Sequence, residues 1–335
     1  MKSRKKDNKK IDQQKVDERR EEVLAAGRKF KYPLQWTKYR IVINTILIAL
    51  ITSAIIVTSG WLALYQFSMT DDMLFRITEV LPVPVANVDG ADVRFSDYLM
   101  FYRSSMTSIE RQSGQVDNDS NVDILRAQYK RSALDESEQY AYALKLANEH
   151  GITVTEEEVD TEFNRHLNIG GTERSEESFI KIIEDNFGLN KNEYRRMLYL
   201  TLVKAKVEMQ IDETANKTAN RVEKLLAENN GDYSAVAEAL GSSVEYQDTG
   251  GMVSSQNIDG GRASEAIKLE PGQQSGRFIS TNGDGYYFVK LISKTATEVN
   301  FVSIKVPFTQ FSTDFNNLRE TGKIHEYIQL EDFSE

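Results

Sequence analysis

Cysteine is absent from the 335 residues, which excludes disulfides, thiolate metal sites, a thiol nucleophile and a lipid-modified N-terminal cysteine. Histidine occurs only as His150, His166 and His325, and no two of them stand at ligand spacing. No metal site is therefore expected, and no cofactor. Neither G-x-S-x-G nor G-x-x-x-x-G-K-[ST] occurs, so hydrolase and nucleotide readings have no support. The carboxylate clusters at Glu156–Glu158 and Glu176–Glu177 read as helix N-terminal charge. Proline is scarce, at five residues, and two of these, Pro82 and Pro84, sit together where they bar a continuous helix. The most informative absence is local: residues 41–70 contain no charged side chain.

That stretch is rich in Ile, Leu, Val and Ala and exceeds the roughly 20 residues that cross a bilayer core. It reads as a transmembrane helix, so the lipid bilayer is its expected partner. A secretory signal has an apolar core of only about 7 to 15 residues and a small-residue cleavage site, which is missing here. Lys38, Tyr39 and Arg40 border it on one side; Trp61, Tyr65 and Phe67 mark the other end, followed by Asp71 and Asp72. Positive charge inside and an aromatic belt outside place the N-terminus in the cytoplasm and residues 71–335 outside the cell membrane. The charge split agrees. Residues 1–40 hold 14 Lys and Arg against 6 Asp and Glu, a net +8; the remainder holds 27 against 45, a net −18. The acidic exterior excludes a broad nucleic-acid footprint. The tail 1–40 reads as solvated and orienting, with a Lys-rich run over 1–10 and a charged helix over 14–26.

Beyond the span, Asp89-Gly90 between Val-rich flanks predicts a β-hairpin. Ser96 opens a helix to about Arg111, and a polar loop covers 114–121. A long helix over 122–150 stops at Gly151, and Thr155-Glu156-Glu157-Glu158 is a capping box for a helix to about Leu167. Gly170 and Gly171 break the chain, a short helix spans 175–187, Gly188 ends it, and Asn190 caps another long one. Around Asp212 the texture changes. Helices over 214–228 and 232–240 give way to clustered glycines and strand-like runs at 277–280, 286–293 and 299–306, an α+β pattern. A helix over 309–319 and a candidate strand over 323–330 close the chain.

Asp232-Tyr233-Ser234-Ala235-Val236-Ala237, Gly250-Gly251, Ala266-Ile267-Lys268-Leu269-Glu270-Pro271-Gly272-Gln273 and Gly285-Tyr286-Tyr287-Phe288-Val289-Lys290-Leu291 resemble, in that order, the landmarks of a parvulin-type peptidyl-prolyl isomerase domain. Upstream, the hairpin and Ile152-Thr153-Val154-Thr155-Glu156-Glu157-Glu158-Val159 resemble the N-terminal chaperone domain of the SurA, PrsA and PpiD group. An uncleaved anchor is similar to the PpiD arrangement. The implied architecture is α+β. It comprises a basic tail (1–40), a span (41–70), a helical chaperone domain (71–211), a parvulin-like domain (212–306) and a C-terminal helix and strand (307–335) returning to pair with the hairpin.

The resemblance implies extracytoplasmic foldase or holdase work on unfolded or newly translocated polypeptides, near the site where chains emerge from the translocon. In parvulins the last strand carries a histidine; here Tyr287 replaces it. The first-strand histidine has no counterpart near 205–211, which continues a helix, and 300–306 offers a permuted replacement strand. The ring-gripping Phe falls near Arg262, the Met near Ile258, and the acidic position near Val244 or Glu245. Isomerisation needs a slot for the prolyl ring and groups that stabilise the twisted amide. A weak or inactive module is expected, with Tyr287 and Glu245 as remnant catalytic positions. Tyr98, Phe101, Tyr102 and Met106 are expected mainly in the core, some lining a client groove, since adaptable Met-rich surfaces suit promiscuous binding. An active isomerase and a single-pass adaptor with one dedicated partner remain the alternatives.

Overall fold

The computed structural model describes residues 13–31, 39–113, 120–168 and 174–330, in two units, 1–62 and 63–335. The Lys-rich run 1–10, most of the loop 114–121 and the break at Gly170 and Gly171 lie outside the described residues.

In the first unit, α1 (Gln13–Lys31) carries the charges expected of a solvated helix. α2 (Arg40–Trp61) is apolar on every side and has no buried residue. A helix hydrophobic all round needs a large core or a bilayer. Its polar groups are managed internally: the Thr45 hydroxyl donates to the Ile41 carbonyl at 2.9 Å. The segment long and apolar enough to cross a membrane is Arg40–Gln66, ending in a π-helical turn, Leu62–Gln66. Residues 67–70, uncharged and counted with the span from sequence, have left the helix.

The second unit opens with α3 (Asp72–Val80) and a hairpin, β1 (Pro84–Val88) and β2 (Ala91–Arg94). Asp89 and Gly90 both take positive φ, 48° and 90°, the type I′ requirement that Asp-Gly meets at low strain. The Asn87 side-chain carbonyl accepts from the Gly90 amide at 2.9 Å and secures the turn. α4 (Phe95–Ser113), starting one residue before Ser96, packs on α5 (Ser120–Glu149), the longest helix described. α6 (Glu156–Leu167) starts with the Thr155–Glu158 capping box, α7 (Glu176–Phe187) with Ser175, and α8 (Lys191–Ile211) with a second capping box between Asn190 and Glu193. Phe95, Tyr98, Leu99, Leu134, Leu189 and Leu200 form the centre of the helical core.

This core is closed from the far end of the chain. α12 (Gln310–Glu320) inserts Phe311, Phe315 and Leu318, and β8 (Ile324–Glu326) pairs antiparallel with β1, giving the order β2-β1-β8. The pairing that alternation over 323–330 suggested is thus made by three residues. Arg131 of α5 grips Glu326 with both guanidinium ends, at 2.8 and 2.6 Å. Arg319 of α12 reaches Asp135 and Glu138 of α5, each at 3.0 Å. Glu138 is fully buried; burial, aided by the charge of Glu326, pushes its carboxyl up to about 7.

Between α8 and α12 the chain builds a second lobe. α9 (Glu213–Glu228) and α10 (Tyr233–Leu240) cover one face of an antiparallel sheet. The sheet comprises β3 (Glu245–Asp248), β5 (Phe278–Ile279), β6 (Gly285–Lys294) and β7 (Glu298–Pro307) in the order β3-β7-β6-β5, with β4 (Val253–Ser254) on β7. The run 300–306 therefore occupies the sheet interior, between β3 and β6. α11 (Arg262–Ala266) and Leu269 pack on the other face, against Val289, Leu291, Val299 and Phe301.

The two lobes meet at Asp212, whose side chain is almost wholly buried. One carboxylate oxygen caps α9 by accepting from the Ala215 amide at 2.8 Å; the other accepts from the amides of Thr309 at 2.7 Å and Gln310 at 3.1 Å. One side chain thus holds the two chain passages between the lobes together. Asp212→Ala strands three amides and should lower unfolding stability by about 3 kcal/mol, whereas Asp212→Asn, which keeps one acceptor, should lose less. Denaturant midpoints of the full chain in detergent check the order.

Candidate functional site

Two regions qualify: the sheet position where the parvulin landmarks converge, and the clefts of the helical lobe.

On the sheet, registry places Glu245 opposite Lys305, Lys305 opposite Tyr287, and Tyr287 opposite Phe278. These residues form one rung across β3, β7, β6 and β5, and side chains on one rung share a face. The two expected remnant positions, Tyr287 and Glu245, are therefore two strands apart on a common face, with Lys305 between them. Lys305 Nζ lies 3.0 Å from Asp284 and 3.6 Å from Glu245, and the Tyr287 hydroxyl donates to Asp284 at 3.4 Å. Arg262, at the expected ring-gripping position, lies over the Tyr287 ring at 5.1 Å, donates to the Asp259 carbonyl at 2.7 Å and bonds Gln247.

The charges of this network are paired, although one Asp284 carboxylate oxygen is buried without a hydrogen-bond partner. Burial drives the Asp284 carboxyl up, but hydrogen bonds from Ser280 and Lys305 outweigh it and hold the group below its ordinary range. Burial pulls Lys305 down, and the hydrogen bond and charge of Asp284 raise it overall. Burial, then the Asp284 charge, raises the Tyr287 phenol. Tyr287 is 3% exposed and lies against Gly260: a Cβ there would come within 3.1 Å of the Tyr287 ring. With φ +77° as well, that position favours glycine on two counts. The phenol ring and the Arg262 guanidinium occupy this face, and Ile258, expected at the Met position, is 77% exposed. Glu245 is largely solvated. The arrangement ties strands together; it offers no open apolar slot.

In the helical lobe, Tyr98, Phe101, Tyr102 and Met106 are core residues, at 0, 4, 7 and 8% exposure, and the groove role expected for some of them gives way to packing. α4 turns them inward: Tyr98 meets Phe95 edge-on, and Phe101 stacks on Tyr140 of α5. Three clefts adjoin on the surface of this lobe. One of 450 Å³ lies between α6 and α8, lined by Glu156, Val159, Arg195 and Tyr199. It shares Asn192 and Arg196 with a 140 Å³ cleft that reaches Met100 and Phe75. That in turn shares Phe75, Glu79 and Glu193 with one of 610 Å³ bounded by α3, α4 and Gly188. The walls are Arg–carboxylate pairs. Arg196 is bidentate on Asp97 at 3.2 and 2.8 Å, and Arg103 meets Glu193 at 2.6 Å while lying 4.2 Å over the Phe75 ring. The row sets carboxylate-paired guanidinium groups beside small apolar patches.

Arg103, Arg196, Asp97, Lys305 and Asp284 carried no signal in the sequence. Arg196 and Asp97 are 99 residues apart, and they come together only because α4 and α8 both pack on α5. His166 is held between Tyr194 and Glu162.

A family model described as SurA-like N-terminal domain matches residues 34–208, more than half of the chain. The matched stretch starts ahead of the apolar segment and ends within α8. No curated protein matches the chain.

Lys305→Met leaves Asp284 without its cation. A carboxyl whose folded-state pKa is lowered adds stability above its ordinary value near 3.8 and loses it as pH falls through the folded value. The variant should therefore be less stable than wild type by the order of 1 kcal/mol at pH 7, with partial exposure limiting the effect. The difference should narrow in thermal melts as pH falls below 3.8.

Proposed function

We propose, for a chain that belongs to the family of SurA-like N-terminal domains, a role as a membrane-anchored chaperone that holds segments of unfolded, newly exported polypeptides outside the membrane. The observation that carries this reading is the family match, whose span includes both the apolar segment and the helical lobe. The apolar segment supplies the anchor, with the basic tail on the cytoplasmic side. An anchored chaperone works at a raised effective concentration of emerging chains, close to the translocon.

The client surface in this reading is the row of clefts along α3, α4, α6 and α8. Promiscuous binding favours contacts to the peptide backbone, and Arg195, Arg196, Asn192 and Tyr199 provide donors and an amphipathic ring. The sheet lobe is a parvulin-like scaffold without isomerase activity. Its rung at Tyr287, Lys305 and Glu245 is filled and ion-paired where a prolyl ring would have to enter. Lost transition-state contacts mean lost rate.

The full chain in lipid nanodiscs should delay aggregation of an unfolded client at stoichiometric ratio. Arg195→Ala with Tyr199→Ala should weaken client binding about tenfold, ~1.4 kcal/mol, at an unchanged melting temperature. Ile258→Ala on the sheet lobe should leave it unaltered. Failure to delay aggregation removes the chaperone reading, and crosslinking to a single partner would favour an adaptor.

A proline-limited refolding phase, which takes tens of seconds uncatalysed, should not be accelerated. Acceleration abolished by Tyr287→Phe or Glu245→Gln would establish an active isomerase instead.

A further inference from the structure

The second unit begins inside the apolar segment itself. Leu64 is buried in the helical core, and Tyr65 donates its hydroxyl to the Pro84 carbonyl at 2.8 Å and meets Phe95 edge-on at 6.0 Å. The Met69 amide then turns back onto the Ala63 carbonyl at 3.0 Å. The last turn of the candidate span is therefore part of the fold. Between Gln66, where that span ends, and Asp72, where α3 starts, five residues intervene, which reach about 20 Å at full extension. If the span crosses a membrane, α3 cannot be far from its surface.

α3 is apolar on two sides. Phe75 and Thr78 face the core, while Met73, Ile77 and Val80 stand out at 73, 39 and 80% exposure. The spacing i, i+4, i+7 puts these three on one stripe. Phe67, Met69 and Leu81 extend the patch, each exposed by 45% or more. Six exposed apolar side chains within fifteen residues, three of them on one helix stripe, mark a contact site. Its position just past the span selects the contact. Arg126, paired with Asp123, and Lys130, which donates to the Ser68 carbonyl at 3.0 Å, line a 540 Å³ cleft together with Phe67, Ser68 and Thr70 and set cations beside the apolar residues.

We propose that Phe67, Met69 and the Met73–Ile77–Val80 stripe of α3 rest in the interfacial layer of the outer leaflet, as a footplate that fixes the outer unit on the membrane. The inference rests on the membrane reading of Arg40–Gln66. An amphipathic helix lying in the interface inserts its apolar side among the upper acyl carbons. Anchor and footplate together hold the unit at two places, so it sits on the surface in one attitude.

The absence of cysteine makes the test direct. Single variants of the full chain, Ile77→Cys, Val80→Cys, Ile51→Cys and Ile258→Cys, are labelled with bimane in phosphatidylcholine–phosphatidylglycerol vesicles. All four positions are solvent-facing in the structure, so the fold tolerates the label. Quenching is read from shallow and deep nitroxide lipids and from aqueous iodide. The labels at 77 and 80 should lose emission to the shallow lipid quencher and resist iodide, while the label at 258 does the reverse and that at 51 responds to the deep quencher. Iodide quenching at 77 and 80, with 51 still lipid-exposed, overturns the footplate and leaves the anchor standing. Protection from iodide without lipid quenching also overturns it, because a protein surface then covers the stripe. Loss of lipid quenching at 51 overturns the anchor and the footplate with it.

Discussion

The buried carboxylate of Asp212 is the joint of the second unit. The helical lobe is interrupted after α8 and resumes at α12, with the whole sheet lobe lying between. Such an excursion is tolerated when its two ends are close together. Asp212 brings them together by accepting amides from α9 on one oxygen and from the start of α12 on the other. A neutral side chain could cap α9 equally well. Only a two-oxygen acceptor can also hold Thr309 and Gln310, which is why this position both ends one lobe and positions the return to it.

Much of the helical architecture was legible because its signals are local. Thr155 with Glu158, Ser175, Asn190 with Glu193, and Gly188 mark helix ends by hydrogen bonds within a few residues, and each acts as its residue type predicts. The hairpin at Asp89-Gly90 was readable for the same reason. The apolar stretch showed its presence but not its end. Lack of charge continued to Thr70, whereas Leu64 and Ser68 are already committed to the outer core, a tertiary fact without local trace. α4 was legible only in part. Its Tyr, Phe and Met residues were expected mainly in the core, but which of them could line a groove depends on α5 and α7, far away in the chain.

In the proposed reading, the sheet lobe keeps a parvulin-like frame without the chemistry. The landmarks at Gly250-Gly251, Leu269-Glu270-Pro271-Gly272 and Gly285-Tyr286 govern turns and sheet packing, which persist whatever the face carries. Where the resemblance expects an imidazole and an apolar ring, Tyr287 and Arg262 form a cation–π pair next to an ion-paired lysine. Such a pair gains from being dry and closed. The strand 298–307 inside the sheet makes the frame complete without any contribution from 205–211, which stays helical to the end of α8. Charges on this face are paired with near neighbours, so the rung strengthens the sheet at some cost in adaptability.

The closure of the helical core by α12 and β8 also has a consequence in time. Synthesis from the N-terminus completes residues 63–211 first, yet Phe311, Phe315 and the strand that pairs with β1 arrive only about a hundred residues later. Loop closure over that distance must precede the contacts that reward it. The lobe therefore waits half-built, with α5 and α8 lacking their lid, until α12 and β8 have been made. A protein read here as a keeper of unfinished chains spends its own birth as one.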